Sequence, residues 1–218
     1  MNILNIFKLY AIFDGVITAG SFFDNLTMFA LLICSIADVT LVIERMVFFL
    51  RRRFDQNKFI RELAEYLKAG DVDGALAYCE AKDTPLHNVI KVGIENIELP
   101  EDRILDLMES KVLFERDRLT RFLSGLSTVG AVGPLLGLFG TVDGLIDAFH
   151  QIAVTGTGGP EVVGKGISTA LVTTWVGLII AMIAVGFFNY FTKKTSDIVS
   201  KVEAAMREYL VILSAVRG

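Results

Sequence analysis

GISTALVTTWVGLIIA, residues 166–181, decides the fold class. It lies inside a stretch with no charged residue from Gly166 to Thr192. An α-helix crosses the hydrocarbon core of a bilayer in roughly 20 residues, so this stretch has length to spare. Yet Ser168, Thr169, Thr173 and Thr174 place four hydroxyls in its first half. A membrane helix with a column of hydroxyls either packs tightly against another helix or lines a polar path.

The bulk composition agrees with a membrane protein. The chain has 218 residues, 53% of them hydrophobic, and a mean hydropathy of +0.54. A net charge of -4 argues against a nucleic-acid partner. Cys34 falls in an apolar run and Cys79 in a polar helix, which suggests neither a disulfide framework nor zinc spacing. His87 and His150 are isolated, and no metal or cofactor is expected. The apolar N-terminal stretch carries only Lys8 and no small-residue cleavage site, so it does not read as a signal peptide. Nothing resembles a phosphate-binding loop, a nucleophile elbow or a metal-ligand pair, so no enzyme is expected.

Working outward, three spans emerge. Residues 26–50 form the first, 122–152 the second and 162–192 the third, with a periplasmic loop over 153–161. Residues 1–25 are apolar but broken by Asp14, Gly15 and Gly20, and fit an N-terminal helix in the outer interface. Arg51, Arg52, Arg53, Lys58 and Arg61 follow the first span, Arg116, Arg118 and Arg121 precede the second, and Lys193 and Lys194 follow the third. The opposite side has only Lys8 and Lys165. The positive-inside rule then puts the N-terminus in the periplasm, and residues 51–121 and the segment 193–218 in the cytoplasm.

The fold class expected is an all-α integral membrane protein. It has three transmembrane helices and a helical cytoplasmic domain, with the second and third helices extending well into the cytoplasm. In the polar block, Phe59, Ile60, Leu63 and Leu67 recur at helical steps. Residues 69–71 stop that helix, 72–81 give a second, Pro85 opens a third and Pro100 precedes a fourth. The fourth, 101–121, meets no breaker before Phe122 and is free to run into the second span as one rod.

The second span carries Gly130, Gly133, Gly137, Gly140 and Gly144. Glycine is costly inside a helix, so this density calls for close backbone approach to another helix. Pro134 predicts a freed carbonyl and a kink. Gly137, Thr141, Gly144 and Ala148 share one face, with Thr141 its lone hydroxyl; in the third span Thr169, Thr173, Gly177 and Ala181 do the same, with Thr174 beside them. Two such stripes fit a polar path between helices, although a membrane threonine often bonds its own preceding turn. Asp143 and Asp147 sit one turn apart near the outer end, either concentrating cations at a mouth or marking the interfacial end. Asp38, in mid-span, either ion-pairs within an assembly or marks a helix shifted in depth. Glu44-Arg45 reads as interfacial, with the arginine snorkelling to the cytoplasmic side.

The strings CSIADVTLVIER (34–45), GDVDGALAYCEA (70–81), VGPLLGLFGTVDGL (132–145) and GISTALVTTWVGL (166–178) resemble the ExbB/TolQ branch of the MotA/TolQ/ExbB family. The similarity runs from about residue 26 to about residue 212. It implies a ring subunit, a pentamer, of a motor in the bacterial inner membrane that is driven by H+ or Na+. It also implies two copies of a one-span partner of the ExbD/TolR type, whose membrane aspartate carries the ion, and an envelope receptor or transporter downstream. Thr141 and Thr174 match the family's pore-lining threonines.

Two positions depart from the pattern. Thr169 stands where many ExbB and TolQ proteins have a glutamate, which removes a candidate proton-relay group. Ser168, Thr169 and Thr173 offer a sodium ion neutral oxygens instead. Asp143 stands where a tryptophan is common. The rival readings are a structural scaffold whose stripes only pack helices, and a stand-alone cation channel.

Overall fold

The computed structural model describes residues 22–156 and 160–217. The interfacial helix expected over 1–25 therefore lies outside the described residues as far as residue 21, as do residues 157–159 of the expected loop. Seven helices follow in order: α1 (Phe22–Arg51), α2 (Gln56–Lys68), α3 (Val72–Glu80), α4 (Pro85–Glu95), α5 (Glu101–Thr120), α6 (Leu123–Thr155) and α7 (Pro160–Arg217). Among the described residues there is no strand. Three helical stretches are long and apolar enough to cross a membrane, in α1, α6 and α7. The protein is an all-α, multi-pass membrane protein. The chain divides into two compact units, residues 1–43 with 124–188, and residues 44–123 with 189–218.

The first unit turns many large apolar residues outward, unlike a water-soluble bundle. Phe29, Leu135, Leu171, Trp175 and Met182 are all at least 60% exposed, as lipid-facing or subunit-facing residues would be. Inside, Met28 and Leu31 of α1 pack with Val129 of α6 and with Ile180 and Ala184 of α7. The α6 helix runs unbroken through Pro134.

The second unit is a helical bundle with a conventional core. Each short helix has a start signal: the Asp55 side chain accepts from the Lys58 amide before α2, Asp71 from the Gly74 amide before α3, and Thr84 from the His87 amide before α4. Such caps satisfy amides that have no partner within the helix. Pro85 occupies the first turn of α4, where its missing N–H is harmless. Gly70, at φ +73°, ends α2 in the left-handed region open to glycine. Phe59, Leu63, Leu86, Ile90, Ile104 and Met108 form the core with Val202, Met206, Tyr209 and Leu213 of α7. Gly93 admits the Tyr209 ring: a Cβ there would lie 2.7 Å from the tyrosine Cε1.

Two expectations are corrected here. The rod does not run through Phe122: α5 ends at Thr120, and Phe122 takes φ +67°, an uncommon conformation for a bulky residue. Nor does Arg45 snorkel. It is 2% exposed, bonded to Glu44 (Nη2 to Oε1, 2.6 Å) and reaching the carbonyls of Arg118 and Leu119 at 3.4 and 3.5 Å. The break at Phe122 leaves the last carbonyls of α5 without helical donors, and the guanidinium serves them at the negative end of the helix dipole. The Phe48 and Phe122 rings flank it, with centroids 4.3 and 5.3 Å from Cζ.

Candidate functional site

The α6 and α7 helices run antiparallel along a seam of small residues. A Cβ added at Gly133 would lie 3.0 Å from the Gly177 carbonyl oxygen, and one at Gly177 would lie 2.5 Å from the Gly133 oxygen. One at Gly137 would lie 2.8 Å from the Thr174 Cα, one at Gly140 2.5 Å from the Thr173 Oγ1, and one at Gly144 3.1 Å from the Gly166 oxygen. At Gly137 and Gly177 a side chain would meet backbone and force the helices apart, and at Gly140 it would displace the Thr173 side chain. Residues without a Cβ allow this approach.

The seam takes in Gly130, which faces Val185, and extends to Gly166, which was not singled out from the sequence and faces Ala148, with would-be Cβ contacts of 2.7 Å at both. Between 170 and 184 the buried positions of α7 are Ala170, Thr173, Gly177, Ile180, Ala181 and Ala184, and the run through Ala170, Thr173, Gly177, Ile180 and Ala184 alternates steps of three and four. The four-residue stripe through Thr169 drifts by about 40° per step on a 3.6-residue helix. A seam between two long helices keeps nearer a 3.5-residue repeat. Ala170 therefore takes the inward place beside Thr173; the Thr169 side chain is outside the described residues.

Two hydroxyls reach the Gly137 carbonyl, and a third lies one turn further along α6. Thr174 is half-buried, and its Oγ1 donates to the Gly137 carbonyl at 2.8 Å. Thr173 is fully buried, donating to Ala170 of its own helix at 2.7 Å, with the Gly137 carbonyl at a long 3.5 Å. Thr141 is half-buried and donates to Leu138 of its own helix at 2.6 Å. In an α-helix the Gly137 carbonyl also takes the Thr141 backbone amide, so the main chain of Thr141, and not its hydroxyl, shares that carbonyl with the Thr174 hydroxyl. Each hydroxyl spends its proton on a carbonyl and keeps lone pairs with which to accept a hydrogen bond or ligate a cation.

The other candidates are placed apart. Ser168 is exposed, Asp143 and Asp147 are half-buried further along α6, and His150 is exposed. Asp38 is 2% exposed, on α1. Among the described residues, no group of three or more His, Cys, Asp or Glu side chains is placed to hold a metal ion.

Residues 81–204, which contain all of α6 and the seam-forming part of α7, match the MotA/TolQ/ExbB proton channel family. The chain belongs to this family. It is similar to the biopolymer transport protein ExbB of Pseudomonas putida, 30% identical over 162 residues, or 70% of this chain and 49% of that protein. An ExbB-like biopolymer transport protein of Synechocystis is 30% identical over 161 residues, covering 72% of this chain and 76% of its own. The Tol-Pal system protein TolQ of Pseudomonas aeruginosa is 33% identical over 99 residues, 45% of this chain and 43% of that protein. The chain spans about half the length of the Pseudomonas relatives. Within this proton channel family, the matched region includes Thr141, Asp143, Asp147, Ser168, Thr169, Thr173 and Thr174, whereas Asp38 lies before it.

Proposed function

We propose that the chain is a ring-forming subunit, five to a ring, of an ion-driven motor in the bacterial inner membrane. The ring encloses two copies of a one-span subunit of the ExbD/TolR type and couples H+ or Na+ flow to work or transport at the cell envelope. The observation that carries this reading is the bond from the Thr174 hydroxyl to the Gly137 carbonyl, one helical turn from Thr141, in the close-packed seam of the two membrane helices. The two threonine oxygens supply weak ligands along an ion path, and a transported ion needs ligands that it can leave as well as enter.

In this reading the ion rests chiefly on the partner's carboxylate. Thr173 braces the wall from within the seam, and the exposed Ser168 and the neighbouring Thr169 add neutral oxygens. Asp143 and Asp147 draw cations to the periplasmic mouth. The arginines and lysines of 51–121 and 193–194 orient the chain with N-terminus outside and C-terminus in the cytoplasm.

One observation favours a second reading, a packing-only scaffold: the Thr141 and Thr173 hydroxyls bond carbonyls of their own helices, as threonines with no transport role do. Co-expression with its one-span partner separates the two. Native mass spectrometry of the purified complex is expected to give five copies of this chain with two of the partner. A chain that purifies without partner or ring supports the scaffold.

A further inference from the structure

We infer that Asp38 is a proton-binding site of the chain's own, carried by the first span and separate from the hydroxyls of α6 and α7. Asp38 is 2% exposed, and its Oδ1 has no hydrogen-bond partner among the described residues. It lies on the buried face of α1. Leu31, seven residues earlier, packs with Val129, Ile180 and Ala184. Leu41, three residues later, brings its Cδ1 within 3.0 Å of where a Cβ on Gly125 would stand. The α6 wall facing Asp38 is therefore the stretch between those contacts, residues 125–129, with α7 near Ala184 beside it.

That wall holds no counter-charge. No charged residue occurs in 123–142 or in 166–192, and Asp38 is the only one in 26–43. The titratable groups of the same unit on α6, Asp143, Asp147 and His150, begin 14 residues beyond Val129, about four turns away. A buried carboxylate with no cation carries a desolvation penalty far larger than its neutralisation by a proton. A metal ion would need several oxygens around it. The wall offers only the hydroxyls of Ser127 and Thr128, both exposed, and that of Thr128 donates to the Ser124 carbonyl at 2.9 Å. Burial also closes Asp38 to a cationic side chain from a second chain. A proton is the one ligand that fits, and this holds whether or not the ring reading does.

Infrared spectroscopy of the full chain in lipid nanodiscs at pH 7.5 tests this. A protonated aspartic acid absorbs in the carboxylic C=O region, shifts on H/D exchange, and moves again when the aspartate is carbon-13 labelled. The expected result is such a band in the wild-type chain, lost in Asp38→Asn and retained in Asp143→Asn and Asp147→Asn. A carbodiimide, which adds only to the protonated acid, is expected to label the peptide containing Asp38. A wild-type chain without a carbon-13-sensitive band overturns the inference by itself, even if Asp38→Asn fails to fold. A band that survives in folded Asp38→Asn also overturns it.

Discussion

The Thr174 hydroxyl donates to the Gly137 carbonyl at 2.8 Å, across two helices whose backbones nearly touch. A bond between helices in the membrane contributes roughly 0.6 to 2 kcal/mol, so it does not by itself hold the pair together. The glycine seam does that, which leaves the Thr174 oxygen free for another role.

Thr174→Val keeps the shape of the side chain and removes the donor. The expected outcome is a chain that still assembles, with stability lowered by about 1 kcal/mol, but whose envelope process stops. Thr141→Ala is expected to do the same, and Thr174→Ser to retain activity. Size-exclusion chromatography beside a cellular assay of the energised process checks this; wild-type work by both Thr174→Val and Thr141→Ala would remove these residues from the path.

The seam predicts a contrast between glycines of one helix. A Cβ at Gly177 would lie 2.5 Å from backbone oxygen, whereas one at Gly186 meets nothing within 4 Å. Gly177→Ala should therefore lower stability by about 1–3 kcal/mol, and Gly186→Ala should be neutral or raise it by up to about 1 kcal/mol through helix propensity. Thermal unfolding of the two variants in one detergent gives the comparison.

Burial lowers the pKa of His87 to about 4, so it is neutral in the fold, with its Nδ1 2.6 Å from the Thr84 hydroxyl. The unfolded chain, with an ordinary histidine value near 6.5, takes up a proton first as pH falls. The contribution of neutral His87 is thus whole above about pH 6.5 and is lost on the way down to about pH 4, by ~3 kcal/mol. His87→Gln should flatten this part of a stability-against-pH curve. Asp83 acts in a separate, more acidic window: its bond from Asn88 and the neighbouring Arg118 hold its carboxyl below the usual range. Its stabilisation is present above the unfolded carboxylate value and disappears as pH falls through the folded one. Melting curves from pH 8 to 3 resolve the two.

Arg45 predicts that charge alone is not enough at the end of α5. Arg45→Lys replaces a planar fork that serves both Glu44 and two carbonyls with a single ammonium. Both Arg45→Lys and Arg45→Leu are expected to destabilise the helical unit, the latter by about 2 kcal/mol. Hydrogen exchange at residues 117–122 should report the loosening directly.

Much of the helix order was legible because its signals are local. The stop at 69–71 and the starts at Pro85 and after Pro100 fall where the sequence places them, because Gly70 and Pro85 punctuate as their backbones require. The three spans follow from apolar length. What escaped depends on partners far away in sequence. Nothing around Phe122 marks a break, because the group that accommodates it is Arg45, more than seventy residues earlier. Among adjacent hydroxyls, sequence could not say that Thr173 faces into the seam while Thr174 sits at its edge. One residue step rotates a helix by about 100°, and a four-residue ruler drifts from the true repeat. Asp38 was visible as an anomaly, but its lack of a counter-charge emerged only once its buried face was known.

The most direct test of the pathway is ion flux in proteoliposomes holding the chain with its one-span partner, under separate proton and sodium gradients. The account predicts flux that requires the partner, follows one of the two gradients, and is lost in Thr174→Val without loss of the complex. Equal flux in the wild type and in Thr174→Val, or flux from this chain alone, would contradict it.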